Sequence, residues 1–246
     1  MNIRRIGLIL LLAALGVGSA FAHDKGDLVL NIEPMGGIAL GQIGVFINDV
    51  DLSKVPAYGY KDEWDFTGGV YATLHYYFVS FFGINAGVGA NGRIFLSTYS
   101  ENVSGPTTNL VFGNFYTSIP VGVRLSLSAL ALGGGLTANI PIIGLANYGT
   151  AASYGSSAQS IRDPKYKPDF YLGWYADIGF DMSGIKGRDK GFGLLVRLEG
   201  CLSDQIASTT WQNFGNNFAY KPFYFYSASL VFQFANDLGH FPIGGS

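Results

Sequence analysis

Glu33, Arg93, Arg124, Asp177, Asp181, Arg197 and Glu199 all fall on one side of an alternating apolar/polar pattern, and that one-sidedness constrains the fold more than any other feature of the chain. The pattern occupies eight stretches, about 27–41, 66–79, 84–97, 110–125, 129–142, 169–182, 191–202 and 222–234. A period of two residues belongs to β-strands. The sixth stretch is the clearest. Phe170, Leu172, Trp174, Ala176, Ile178, Phe180 and Met182 share one face, and Tyr171, Tyr175, Asp177 and Asp181 share the other. The second stretch sets Val70, Ala72, Leu74, Tyr76 and Phe78 against Tyr71, Thr73 and His75. The polar faces of the others carry Asn85, Asn91, Asn114, Tyr116, Thr137 and Asn139 beside the charges. A soluble sandwich would also alternate, so the choice between sandwich and membrane barrel rests on the rest of the chain.

The first 22 residues read as an export signal. Arg4 and Arg5 form the basic region, Ile6 to Val17 the apolar region, and Ala20-Phe21-Ala22 an A-x-A cleavage site that would leave His23 first. No later apolar run reaches the ~20 residues that a membrane helix needs. Yet 48% of the residues are hydrophobic, 13% are charged and glycine numbers 35. An exported, glycine-rich, aromatic-rich chain without a membrane helix has the composition of a transmembrane barrel. The net charge of −2 offers nothing to nucleic acid. Cys201 stands alone, so no internal disulfide forms, and it reads as a small packed residue.

The connections alternate in length. Long ones span 42–65, 98–109, 143–168 and 203–221; short ones span 80–83, 126–128 and 183–190. Long loops on one side and tight turns on the other are the outer-membrane barrel pattern. The expectation is therefore an all-β fold, one eight-stranded antiparallel up-and-down transmembrane barrel over 23–236. Loops would lie outside the cell and both termini in the periplasm, after a cleaved signal over 1–22 and before a short periplasmic tail over 237–246. Because lipid cannot satisfy a free sheet edge, the first and eighth strands should pair. Pro34 and Pro120 cannot donate to a ladder and are expected at bulges, with a phase shift after Pro34.

The last stretch, Phe223 to Phe234, ends in Ser227-Ala-Ser-Leu-Val-Phe-Gln-Phe234. This segment resembles the C-terminal assembly signal of the small eight-stranded outer-membrane barrels, the OmpW/OmpX/OmpA-barrel group. The hairpin Leu74 to Gly89 and the stretch Ser118-Ile-Pro-Val-Gly-Val-Arg124 are similar to members of that group too. The resemblance implies that Phe232 and Phe234 are read by the barrel-assembly machinery. In the family the signal phenylalanine usually ends the chain, whereas here Ala235 to Ser246 follow it.

Gly87-Val-Gly-Ala-Asn-Gly92 fits G-x-G-x-x-G, but no helical pattern follows it, so it reads as a glycine-rich barrel strand, as does Gly133-Gly-Gly135. His75 has no serine two residues away, as a lipid A deacylase arrangement would require, and reads as a polar core residue. No cluster has metal-ligand spacing, so neither an enzyme nor a cofactor is expected. The inward face supplies the candidates. A lumen network of Glu33, His75, Arg93, Arg124, Asp177, Asp181, Arg197 and Glu199 is expected. Arg124 and Asp181 lie lowest, Arg93 and Glu199 highest. It would plug the narrow lumen or gate a polar path.

Tyr71, Phe95, Phe112, Tyr116, Tyr171, Tyr175, Phe223 and Phe225 are expected to line an apolar upper lumen, with Gly87, Gly89, Gly122, Gly133, Gly135, Gly173 and Gly179 leaving room between them. An apolar upper lumen over a charged lower plug would suit small hydrophobic ligands, the role that the OmpW resemblance implies. The loops carry Tyr58, Tyr60, Trp64, Tyr148, Tyr154, Trp211 and Phe214, a composition suited to recognition. Like the OmpX resemblance, they imply an adhesin acting on host surface components. The remaining partners expected are outer-membrane lipid and the assembly machinery. A purely structural, plugged barrel is the third alternative.

Overall fold

The structure, a computed structural model, describes residues 23–41, 46–47, 50–51, 59–62, 65–100, 107–127, 129–150, 168–182, 190–203 and 225–241. Eight long strands follow the alternation. They are β1 (Asp27–Gly41), β5 (Asp65–Val79), β6 (Phe82–Ser100), β7 (Thr107–Leu127), β8 (Leu130–Thr150), β9 (Tyr171–Asp181), β10 (Lys190–Cys201) and β11 (Phe225–His240). Three short strands lie in the first long connection. β2 (Phe46–Ile47) pairs with β3 (Val50–Asp51), and β4 (Gly59–Asp62) pairs with Ser97–Ser100 of β6.

The eight long strands form a ring in which every pairing is antiparallel. β1 binds β5 on one side and β11 on the other, and the order continues β5–β6–β7–β8–β9–β10–β11. The sheet closes on itself and leaves no edge along its common height, which is what a sheet needs to sit in lipid. Polarity is inverted relative to a soluble barrel. Outward apolar side chains are open, with Val121 57%, Leu136 58% and Ile142 61% exposed, while inward Arg, Glu, Asp, Asn and Tyr are buried. Only an apolar surrounding makes that arrangement favourable.

Several expectations need correction. The closing strand does not stop at Phe234. Ala235, Asn236, Asp237, Gly239 and His240 pair with Asn31, Leu30, Val29, Leu28 and Asp27 of β1, so Asp237 to His240, assigned to a tail, belong to the barrel seam. Leu238 is the extra residue of a bulge there, since Leu28 faces Gly239 while Val29 faces Asp237. Gly239 takes φ +113°, which a residue with a Cβ would resist. β6, β7 and β8 also run past their expected ends, to Ser100, from Thr107 and to Thr150. These extensions are rich in Ser, Thr, Asn and Tyr and carry no clean apolar alternation. Backbone pairing with neighbours holds them instead.

Neither proline makes the expected bulge. Ile32 pairs with Phe234 and Met35 with Val231, so both strands advance by three residues across Pro34 and the phase holds. Across Pro120, Ala86 faces Val121 and Gly89 faces Ser118, again in one register. Each ladder resumes because the flanking rungs already fix the register. The shifts occur elsewhere, at Tyr77/Val79 and Phe115/Tyr116 as well as at the seam.

Candidate functional site: the lumen

The inward faces deliver their polar side chains in three tiers, counted from the short-turn end. In the lowest, Arg124 of β7 donates to Asp181 Oδ2 of β9 at 2.6 Å and to Gln233 Oε1 of β11 at 2.9 Å. Beneath it Tyr77 Oη is 3.2 Å from Ser126 Oγ, and the His23 ring stacks on the Tyr77 ring at 3.8 Å.

The middle tier is built on cross-strand register. Arg197 of β10 directly faces Asp177 of β9, and the pair is bidentate, Nε to Oδ1 at 2.8 Å and Nη2 to Oδ2 at 2.9 Å. Fork-to-carboxylate geometry of this kind is the strongest form of the contact. The same Nη2 reaches Glu33 Oε2 at 3.0 Å. Glu33 Oε1 accepts from Thr73 Oγ1 at 3.0 Å and from Gln233 Nε2 at 3.4 Å, with His75 Nε2 at 3.8 Å. Tyr71 and Tyr175 flank the Arg197 guanidinium, 5.3 and 5.0 Å from ring centre to Cζ. Met35, Tyr71, Ala131, Leu195 and Val231 form an apolar cluster, and Gln233, bonded to Glu33 and to Arg124, joins this tier to the lowest.

In the upper tier Arg93 of β6 lies 3.6 Å from Glu199 Oε2, donates to Tyr171 Oη, and sits 3.7 Å over the Phe225 ring. Tyr116 packs edge-on to Tyr171 at 5.0 Å. Ser227 Oγ donates to Glu199 at 3.2 Å. A neutral chain completes the filling. Asn91 Nδ2 donates to Tyr71 Oη and Ser118 Oγ at 2.8 and 2.9 Å, Ser118 donates to Asn139, and Asn139 donates to Thr137 Oγ1 at 2.9 Å.

Buried charge is tolerated only when paired, and here each of the three guanidinium groups has at least one carboxylate within 3.6 Å. All eight residues of the expected lumen network are buried. The aromatic set divides. Phe95, Tyr116, Tyr171 and Phe225 are buried in the upper lumen, whereas Tyr71 and Tyr175 stand at mid-depth around Arg197. The upper lumen is also not an apolar compartment over a charged plug, because Arg93 and Glu199 occupy it. Of the seven inward glycines only Gly133 leaves room for a Cβ. A Cβ at Gly135 would come within 2.9 Å of the Tyr175 ring, one at Gly122 would strike Tyr175 Oη, and one at Gly89 would strike the Tyr71 ring. These glycines are the seats of the tyrosines.

Phe223, Tyr58, Trp64, Tyr154, Trp211, Phe214 and the signal over 1–22 lie outside the described residues. For Phe112, Tyr60 and Tyr148 only the strand backbone is described. Asp65, Tyr77, Ser118 and His23 are buried here too, though none stood among the expected site residues. Asp65 lay one residue outside its expected strand and Ser118 is too ordinary to draw notice, but Tyr77 shares the alternating face of Tyr71, Thr73 and His75 and could have been found. Phe232 and Phe234 face outward, near Phe192 at 6.5 and 5.9 Å. Among the described residues no group of three or more His, Cys, Asp or Glu could hold a metal ion.

No protein-family model and no curated protein matches the chain. Solved structures similar to it are small outer-membrane proteins. OprG from Pseudomonas aeruginosa shares 11% identity over 89% of this chain and 99% of its own, with a TM-score of 0.42. Ail, the attachment invasion locus protein of Yersinia pestis, shares 13% over 86% and 99%, with 0.39. AlkL, solved by solid-state NMR in lipid bilayers, shares 10% over 91% and 95%, with 0.41. At these TM-scores the functional reading is left to the chain's own geometry: a closed eight-stranded antiparallel barrel, apolar outside and ion-paired within.

Proposed function

We propose that the protein is an outer-membrane barrel whose lumen is sealed and whose activity is displayed at the long-connection end, as a surface-exposed binder of host components. The observation that supports this most is the stack of three arginine–carboxylate tiers, each guanidinium under 5% exposed. A hydrated ion would have to break a buried pair at every tier, each break costing roughly 3–5 kcal/mol. The same end carries the strand extensions of β6, β7 and β8. In this reading outer-membrane lipid surrounds the belt, the termini face the periplasm, the assembly machinery reads the closing strand, and no catalytic residue is assigned.

Two measurements test it together. In planar bilayers the purified barrel should be silent. On immobilised host-cell surface components it should bind, and removing residues 206–220 should abolish binding while leaving the folded barrel intact. Discrete conductance, or binding unchanged by that deletion, would sink the reading.

A second reading, OmpW-like binding or passage of small hydrophobic molecules, draws on one feature. β8 pairs with β9 only up to Asn139–Tyr171, so among the described strands none flanks residues 140–150 on that side, next to the aromatic upper lumen. Altered uptake of a hydrophobic solute after Tyr116→Ala, with the bilayer still silent, would favour it.

A further inference from the structure

His23 is 4% exposed although it belongs to no strand and the ring of eight strands closes without it. Its imidazole lies nearly parallel to the Tyr77 ring, 3.8 Å between centres and 15° between planes. Tyr77 in turn closes over Ser126. The chain returns His23 beneath the lumen through a tight turn. Asp24 N–H donates to Asp27 Oδ2 at 2.6 Å, Asp27 N–H donates to the Asp24 carbonyl at 3.1 Å, and Gly26 adopts φ +96°. Gly26 is pinned on both sides. Its N–H donates to the Tyr77 carbonyl at 2.7 Å, and its carbonyl accepts from Phe241 N–H at 2.7 Å. Before Gly26, Asp24 and Lys25 are exposed, and the head is held by its stack on Tyr77, by the approach of His23 Nδ1 to Asp27 Oδ2 at 3.9 Å and by the Asp24–Asp27 turn.

We infer that residues 23–26 are a hinged stopper: His23 is the head that closes the short-turn mouth of the lumen, and Gly26 is the fixed point about which it swings out. A glycine at positive φ can change conformation there without a Cβ clash. The stack gains from ring burial and is broken without disturbing any strand pairing. With the signal removed after Ala22, as the sequence leads one to expect, this head is the free end of the chain.

The stopper also responds to acid. Burial holds the His23 ring below its ordinary value of 6.5. Asp181 and Asp27 oppose that shift, while Arg124 and His75 add to it. The seated ring is therefore neutral, and protonation favours the released form. The stopper lies at the opposite end of the barrel from the proposed binding surface and stands whether or not that surface binds anything.

The test reads access to position 126. Ser126→Cys is made in a Cys201→Ser background of the processed protein in lipid vesicles. Its rate with a charged thiosulfonate reagent is divided by that of Ser80→Cys, on an exposed turn. At neutral pH the ratio should be about ten-fold below one, since reaction waits on a local opening. His23→Ala should remove most of that protection, and His23→Phe, which keeps a stacking ring, should retain it. At about pH 5 the protection should fall with His23 present and persist with His23→Phe. Gel mobility of the unheated protein confirms that each variant is folded. Equal protection with His23→Ala, or the same acid response with His23→Phe, would overturn the inference.

Discussion

Glu33 and Arg197 are 164 residues apart in sequence and 3.0 Å apart in the lumen. They project from β1 and β10, and the strand between those two is β11. The pair therefore spans the last strand of the chain, across the seam that closes the ring. Arg197 meanwhile holds Asp177 on its other side, so one guanidinium pairs with two carboxylates from two strands.

Arg197→Met should destabilise the barrel by about 3–5 kcal/mol, because it leaves Asp177 and Glu33 buried without their countercharge. Glu33→Gln should cost less, about 1–3 kcal/mol, since an amide can still accept from Thr73 while Arg197 keeps Asp177. Urea unfolding in lipid vesicles reads both. Equal losses would mean that packing rather than charge holds the middle tier.

Trp174 tests the inverted polarity directly. It projects outward from β9 over Gly200, where a Cβ would lie 2.6 Å from Nε1, and Tyr226 stands 6.5 Å away. With Trp64 and Trp211 replaced by Phe, brominated lipid should quench its emission strongly and aqueous iodide weakly. The reverse pattern would place this face in water and the membrane reading would fail.

His23 gives the pH dependence a sign. Its pKa is lowered in the fold, so its stabilising contribution is present above the ordinary value of 6.5 and is lost as the pH falls through the lower folded value. Unfolding midpoints of the wild type should therefore drop on acidification below about pH 6.5 more steeply than those of His23→Phe. Parallel curves would show that the ring is not seated in solution.

What was legible in the sequence depended on period. Phe170 to Met182 alternates without interruption, and so strand, face and inward charges could all be read there. Where side chains stop alternating, the strand ends became invisible, because Ser97 to Ser100 and Thr107 to Asn109 are held by main-chain bonds that any residue can make. Proline was over-read. Pro34 lacks a donor, but the rungs Ile32–Phe234 and Met35–Val231 hold the register across it. Glycine was misread as empty space, since periodicity shows that Gly122 and Gly135 face inward but not that Tyr175 lies on them. Depth was readable for Arg124, Arg197 and Arg93 by counting residues from the short turns. Contacts that cross strands, such as Gln233 to Arg124, have no trace in local sequence.

The closing strand carries the last prediction. If Phe234 ended the functional seam, deleting everything after it would be harmless. In the structure Ala235 to His240 pair with Asn31 to Asp27 of β1, Asn236 pairs with Lys190 of β10, and Phe241 N–H donates to Gly26. Truncation after Phe234 should strip the lowest rungs from the β1–β11 seam. It leaves unpaired backbone groups at the membrane boundary, each costing on the order of 1–3 kcal/mol if they cannot reach water. Truncation after Phe241 removes none of the described pairs. The first variant should accumulate unfolded and protease-sensitive, and the second should assemble like the full chain. Phe234→Asp, which puts a charge on the lipid face beside Phe192, should fail to insert even with the seam intact. Gel mobility of unheated membranes separates these outcomes. Normal assembly of the shorter truncation would show that the seam below Phe234 contributes nothing.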